Sequence, residues 1–130
     1  MTPAIFGIAG DKLSADERAF FKEANPAGYI LFARNCIDPG QLRRLTDDLR
    51  AIHGREHLLV SIDQEGGRVA RLKEPFTSFP GNTAIGEDIE SIEKAEEFAR
   101  TTAKEMALVG LNMDFAPVVD VRRGEPEKHL

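Results

Sequence analysis

Short apolar runs alternate with longer amphipathic segments along this chain. Four runs are mostly apolar, and they cover residues 4–9, 28–32, 58–62 and 111–115. Continuous apolar runs of this length are typical of strands that are buried on both faces, as in a parallel sheet covered by helices. The pattern therefore predicts four strands of a parallel sheet.

Three segments between these runs have helical spacing. The first starts with a Ser-x-x-Glu capping box at Ser14 and ends before Pro26. The second starts with an Asp-Pro cap and spans residues 38–54. The third is expected to be capped by Ser91 and to end at Gly110. The apolar positions that these helices are expected to bury are Ala19, Phe20, Ala24, Leu42, Leu45, Leu49, Ile52, Ile92, Ala95, Phe98 or Ala99, Thr102, Met106 and Val109.

The order of these elements predicts a single α/β domain with a parallel sheet. Periodicity alone leaves a barrel and an open doubly wound sheet as alternatives. A long polar loop follows Asp63, and loops of this length in a compact domain are often functional. Residues 122–130 are mostly polar and predict a frayed end.

The third strand delivers the candidate site. Asp63 lies where the strand should end, and ligands of such sheets bind beyond the carboxyl ends of the strands. A carboxylate there can accept hydrogen bonds from sugar hydroxyls, and a nearby arginine keeps it ionised. Arg68 and Arg71 follow the Gly66-Gly67 pair. The alternatives are an aspartate that caps its own loop and arginines that are solvated at the surface.

Four segments in the same order resemble glycoside hydrolase family 3, in its bacterial β-N-acetylglucosaminidase branch. They are Gly28 to Asn35, the Asp-Gln-Glu-Gly-Gly-Arg-Val run at 63–69, Phe76 to Pro80, and Met113 to Val121. The resemblance implies a TIM-type (β/α)8 barrel. Since such a barrel needs about 250 residues, residues 1–130 are interpreted as an N-terminal fragment of the catalytic domain, with about four strands.

The resemblance also implies roles for single residues. Asp63 and Arg71 correspond to substrate-binding positions of the family. Glu65, Arg68 and Asp120 are interpreted as loop-ordering residues that can support the site from behind; an alternative for Asp120 is an ion pair with Arg122 or Arg123. No catalytic residue is assigned in this chain, because the family's nucleophile and its histidine acid/base are expected beyond Leu130.

The expected reaction is the retaining hydrolysis of terminal N-acetylglucosamine from cell-wall (peptidoglycan) fragments, with the chain alone inactive. One alternative is a β-glucosidase or β-xylosidase of the same family. Another is a non-catalytic half-barrel that binds carbohydrate or associates with itself through its exposed sheet edges.

Composition limits the kinds of binding partner that we expect for this chain. The net charge of −5 argues against a nucleic-acid footprint, and no apolar run approaches the length of a membrane span. Cys36 is the single cysteine and is interpreted as a plain apolar thiol, which favours a reducing compartment, the cytoplasm. His53, His57 and His129 are scattered and predict no metal site, and the branch implies no cofactor.

Overall fold

The fold is a four-stranded parallel sheet with helices between successive strands. A computed structural model describes residues 1–55, 57–120 and 124 of the chain. The elements are β1 (Thr2–Gly7), α1 (Ala15–Ala24), β2 (Pro26–Leu31), a 3-10 turn (Ala33–Asn35), α2 (Pro39–His53), β3 (Leu59–Ile62), α3 (Asn82–Gly86), α4 (Ser91–Leu108) and β4 (Met113–Asp114). The strands pair in the order β1-β2-β3-β4, all parallel. This confirms the predicted strands and their parallel arrangement.

The first two helices begin and end as their sequences predict. At α1 the Ser14 hydroxyl accepts from the backbone N–H of Glu17, and the Glu17 carboxylate accepts from that of Ser14, so the capping box is complete. At α2 the Asp38 side chain accepts from Gln41, and Gly54 ends the helix in the left-handed conformation. Both signals are local, so the sequence alone was sufficient to find them.

The first helix buries a different aromatic ring from the one expected. Phe20 is 56% exposed, whereas Phe21 is in the core and packs edge-on against Tyr29, with 4.9 Å between the ring centroids. The two rings are adjacent in sequence, and helical periodicity does not decide which of them turns inward. The prediction for Phe20 was therefore wrong, although its ring still contacts Phe6 at 5.9 Å.

The fourth helix also departs from the expectation at its start. Ser91 is the first helical residue, and Glu90 occupies the cap position without a side-chain bond, so the predicted Ser91 cap was wrong. Ile92 is largely exposed, and the buried side of α4 starts only at Phe98. The long loop after β3 contains the short helix α3, which the sequence did not predict. The expected frayed end lies outside the described residues, apart from Gly124.

One hydrophobic core joins the sheet to α1, α2 and the end of α4. Its fully buried strand residues are Tyr29 and Leu31 of β2 and Val60 and Ile62 of β3. The buried leucines of α2 complete this cluster. The hydroxyl of Thr46 and the guanidinium of Arg50 then fasten α2 to the turn after α4, through the carbonyls of Val109 and Gly110.

The sheet has two open edges in the described structure. β1 and β4 each pair with one neighbour only. An open edge leaves backbone groups unpaired and available to another strand. The sheet has the predicted half-barrel geometry. The loop that follows Asp63 lies at the carboxyl end of β3, next to that of β4.

Candidate functional site

The centre of the site is an ion pair at the carboxyl end of β3. Nη2 of Arg71 lies 3.3 Å from Oδ2 of Asp63, and the two side chains are 27% and 24% exposed. Partial burial strengthens a charge-assisted bond compared with one at the open surface. The two residues that the sequence assigned to substrate binding are thus brought into direct contact, with part of the carboxylate left accessible.

Two glycines shape the loop that returns Arg71 to Asp63. The N–H of Glu65 donates to the carbonyl of Val69, and Gly66 and Gly67 adopt φ angles of +83° and +59°. The N–H of Gly67 donates to the carbonyl of Phe79, and a Cβ on Gly66 would lie 2.7 Å from the carbonyl oxygen of Pro80. Positive φ and this close approach both require glycine.

Gln64 joins the two ends of this loop from inside. It is 5% exposed, and its Oε1 accepts from the backbone N–H groups of Arg71 (2.8 Å) and Leu72 (3.0 Å). Its Nε2 donates to the carbonyl of Leu72 at 3.2 Å. Sequence reasoning missed Gln64. The signal that could have found it is its place beside Asp63 in the family motif.

Asp114 closes the site on the side of β4. Its Oδ1 accepts from the backbone N–H of Gln64 at 2.9 Å. Burial raises the pKa of Asp114, and the negative charges of Asp63 and Glu65 raise it further, while the N–H of Gln64 opposes this shift. The carboxyl end of the sheet therefore brings three acidic side chains, Asp63, Glu65 and Asp114, close enough for the first two to influence the third.

The three residues predicted to order the loop have different places. Glu65 is half-buried and begins the turn, and Arg68 is exposed at its tip. Asp120 is exposed beyond β4. Its expected partners, Arg122 and Arg123, lie outside the described residues. Loop ordering by these three side chains stays a prediction.

A second polar cluster lies at the amino end of the sheet. The hydroxyl of Tyr29, fully buried, lies 2.7 Å from Nε2 of His53, and Nη2 of Arg55 donates to the carbonyl of Pro26. Burial lowers the pKa of His53, and the charge of Arg55 lowers it further. His53 is thus partly buried, and the Tyr29 hydroxyl of β2 reaches it although no sequence signal indicates this partner.

The remaining reactive side chains show no sign of chemistry. Burial raises the pKa of the half-buried Cys36 thiol to about 11, so it stays protonated, as a plain apolar thiol does. His57 is exposed, and His129 lies outside the described residues. Across residues 1–55, 57–120 and 124, no three histidine, cysteine or carboxylate side chains converge as metal ligands would. None of the helices in this part of the chain has the length and apolar character needed to cross a membrane.

An apolar groove of about 550 Å³ runs between α4 and β4, on the open side of the sheet. Phe98, Met106 and Leu111 contribute to its walls, and Asp114 lies at one end. Phe115, Val118 and Val119 are exposed just beyond β4. An exposed apolar face therefore lies next to the candidate site.

Comparison with known proteins places the chain in a family. Residues 4–128 match the model of the glycosyl hydrolase family 3 N-terminal domain. A β-hexosaminidase of Pseudomonas aeruginosa is 41% identical over 114 residues, which cover 88% of this chain and 34% of that protein. The chain thus spans about a third of the length of the curated relatives it matches.

Solved structures agree with this match. NagZ from Neisseria gonorrhoeae superimposes with a TM-score of 0.84 at 32% identity, over 95% of this chain and 37% of NagZ. A family 3 β-N-acetylglucosaminidase from Paenibacillus gives a TM-score of 0.78 at 39% identity, over 87% of this chain and 22% of that one. The predicted fold, the beginning of a TIM-type barrel, is confirmed.

Proposed function

The chain belongs to glycosyl hydrolase family 3, and we propose that residues 1–130 form the N-terminal part of a β-N-acetylglucosaminidase catalytic barrel. The proposed reaction is the retaining hydrolysis of a terminal N-acetylglucosamine. The observation that carries the proposal is the Asp63–Arg71 ion pair, which lies at the carboxyl end of β3, where barrel enzymes bind their substrates.

In this proposal the ion pair binds the sugar and performs no bond cleavage. The Arg71 guanidinium pairs with one oxygen of the Asp63 carboxylate, and the accessible part of that carboxylate accepts hydrogen bonds from sugar hydroxyls. Hydrogen bonds to a charged, partly buried group are stronger than neutral ones. The nucleophile and the acid/base belong to later segments of the family's barrel, so residues 1–130 alone bind sugar without hydrolysing it.

N-acetylglucosamine is the proposed sugar because of the relatives. One solved structure of NagZ from Neisseria gonorrhoeae, 32% identical to this chain, is a complex with N-trifluoroacetyl-D-glucosamine. A β-glucosidase or β-xylosidase would use a similar aspartate for hydroxyls that these sugars share. The acetamido group therefore has to be tested by competition between sugars.

Calorimetric titration of the 130-residue chain with N-acetylglucosamine, glucose and xylose tests the proposal. We expect binding of N-acetylglucosamine, with the other two sugars weaker, and loss of binding in Asp63→Asn. Asp47→Asn is the matched control, because Asp47 also pairs with an arginine, Arg43, but on the exposed face of α2. Equal binding by Asp63→Asn and wild type would refute the proposed role of Asp63.

Hydrolysis of a chromogenic N-acetyl-β-glucosaminide separates binding from catalysis. The proposal predicts no turnover by the 130-residue chain. Turnover that disappears in Asp63→Ala would contradict it, since a carboxylate assigned to binding would then belong to a complete catalytic centre.

Self-association is the second candidate function. The open edges of β1 and β4 and the apolar groove along α4 favour it. Two copies of a four-stranded half-barrel contain the eight strands of a closed barrel. Sedimentation velocity across a dilution series checks this: a dimer that Val119→Asp weakens would support it, and a monomer at every concentration would exclude it.

Peptidoglycan recycling in the cytoplasm completes the proposal. The family resemblance supports it, and the protonated, half-buried Cys36 suits a reducing compartment. Fractionation of cells that express the natural gene, with detection of the protein in the cytoplasmic or the extracytoplasmic fraction, decides the location.

A further inference from the structure

Gln64 makes three hydrogen bonds through its carboxamide to the backbone of the segment that returns to it. The two acceptor bonds from Arg71 and Leu72 and the donor bond to Leu72 engage both ends of the amide group. The side chain is buried, so it is held away from solvent. A buried amide that makes three hydrogen bonds to one short segment fixes that segment's position.

The returning segment is the one that presents the guanidinium to Asp63. Arg71 is held at two points by consecutive residues: Gln64 binds its backbone N–H, and Asp63 binds its side chain. Asp63 and Gln64 thus bind the side chain and the backbone of the same arginine. Loosening either hold changes where the guanidinium lies relative to the carboxylate.

Both sides of this arrangement are anchored in the fold. The backbone N–H of Gln64 donates to Asp114, which joins the end of β3 to β4. Leu72 is 3% exposed and belongs to the hydrophobic core. Gln64 therefore connects two fixed parts of the molecule across the base of the glycine loop.

We propose that Gln64 is a positioning residue for sugar binding: it holds the backbone of Arg71 so that the guanidinium stays on Asp63, without touching the sugar itself. The inference rests on the proposed function, because it assigns to Gln64 a role in the same sugar site. It goes beyond that function by naming a buried residue through which affinity is set.

The test compares Gln64→Met and Gln64→Glu in the 130-residue chain. Methionine matches the length of glutamine but makes none of the three bonds, whereas glutamate keeps the two acceptor bonds and loses the donor bond. Affinity for N-acetylglucosamine is expected to fall by about tenfold in Gln64→Met and by less in Gln64→Glu. A purely structural role would lower the melting temperature and leave the affinity of the folded fraction unchanged.

Gln41→Met is the matched control. The Gln41 side chain also makes three hydrogen bonds to backbone groups, at Asp11, Asn35 and Ile37, but none to residues 63–72. The same substitution there should lower stability and leave the affinity for N-acetylglucosamine at the wild-type value. Equal affinities of folded Gln64→Met and Gln41→Met would overturn the proposal.

A second readout separates the two proposals. The Nε–H signal of Arg71 in NMR reports the position of the guanidinium without any sugar. If wild type fails to bind N-acetylglucosamine, the proposed function fails, and this signal still decides the role of Gln64. A changed shift and faster solvent exchange in Gln64→Met, absent in Gln41→Met, would support it; identical signals would refute it. Should Gln64→Met not fold, Gln64→Glu decides by the same two readouts.

Discussion

The two ends of the sheet contain the same kind of residue in opposite settings. At each end an arginine binds through Nη2, Arg55 to a carbonyl and Arg71 to a carboxylate, while its Nε is buried with no hydrogen-bond partner in the described structure. At the amino end Tyr29 and His53 satisfy each other inside the fold. At the carboxyl end Asp63 keeps part of its carboxylate accessible.

This difference teaches which end can bind a ligand. Polar groups that satisfy each other stabilise the fold but leave nothing for another molecule. The Tyr29–His53 pair at the amino end is closed in this way, as expected for the face of a barrel that serves stability. Because part of the Asp63 carboxylate remains accessible, we propose that sugar binds at the carboxyl end.

The same arginine substitution at the two ends gives the largest expected contrast. Arg71→Met removes the cation beside Asp63 and should weaken N-acetylglucosamine binding by about a hundredfold, and loss of the partly buried ion pair should also lower stability by about 1 kcal/mol. Arg55→Met should leave binding unchanged and lower stability by about 1 kcal/mol, the usual value for a lost hydrogen bond. Titration calorimetry and urea unfolding of both variants check this. Equal effects on binding would remove the distinction between the ends.

A pair of glycine substitutions tests the backbone of the two ends. Gly66→Ala would place a Cβ at a residue with positive φ and against the carbonyl oxygen of Pro80. We therefore expect the free energy of unfolding to fall by about 2–3 kcal/mol and sugar binding to weaken. Gly54→Ala has the same kind of φ but open space around its Cβ, so only about 1 kcal/mol should be lost. Unfolding curves measure both losses. A larger loss in Gly54→Ala would contradict the tight packing of the loop.

The smallest expected contrast is the response of stability to pH. The pKa of His53 is lowered on folding, so the unfolded chain binds the proton more readily. The neutral His53 therefore contributes to stability at higher pH, and this contribution is lost as pH falls below about 6.5. The pKa of Asp114 is raised, so protonation favours the folded state as pH falls through its folded pKa. The two ends therefore respond to acid with opposite signs.

Two variants separate these responses. Melting temperatures measured from about pH 3 to about pH 8, a range that includes the ordinary pKa values of aspartate and histidine, should change less with pH near 6 in His53→Gln than in wild type. In Asp114→Asn the difference from wild type should grow only in the acidic part of the range. Parallel profiles for His53→Gln and wild type near pH 6 would show that His53 titrates the same in both states.

Sequence reasoning found what local signals encode. The caps at Ser14 and Asp38 and the stop at Gly54 depend on neighbours within a few residues, and all three were predicted. The family motif named Asp63 and Arg71, which the structure then brought into contact. Sequence was therefore sufficient for the strands and for naming the two residues of this contact, whose role in sugar binding stays a proposal.

The rest depends on contacts between distant residues. His53 meets Tyr29 from another element, and Gln64 meets Leu72 only after the loop has returned. The choice of Phe21 over Phe20 is made by packing against β2. Helical periodicity carries no information about any of these partners, so the structure was needed to find them.

Titration of the 130-residue chain with N-acetylglucosamine, followed by NMR, tests the central claim most directly. We predict that the Nε–H signal of Arg71 and the backbone signals of residues 63–72 shift and saturate, while those of His53 and Arg55 stay in place. The same titration of Asp63→Asn should give none of these shifts. Shifts confined to the amino end, or no shift at saturating sugar, would contradict the assignment of sugar binding to the Asp63–Arg71 pair.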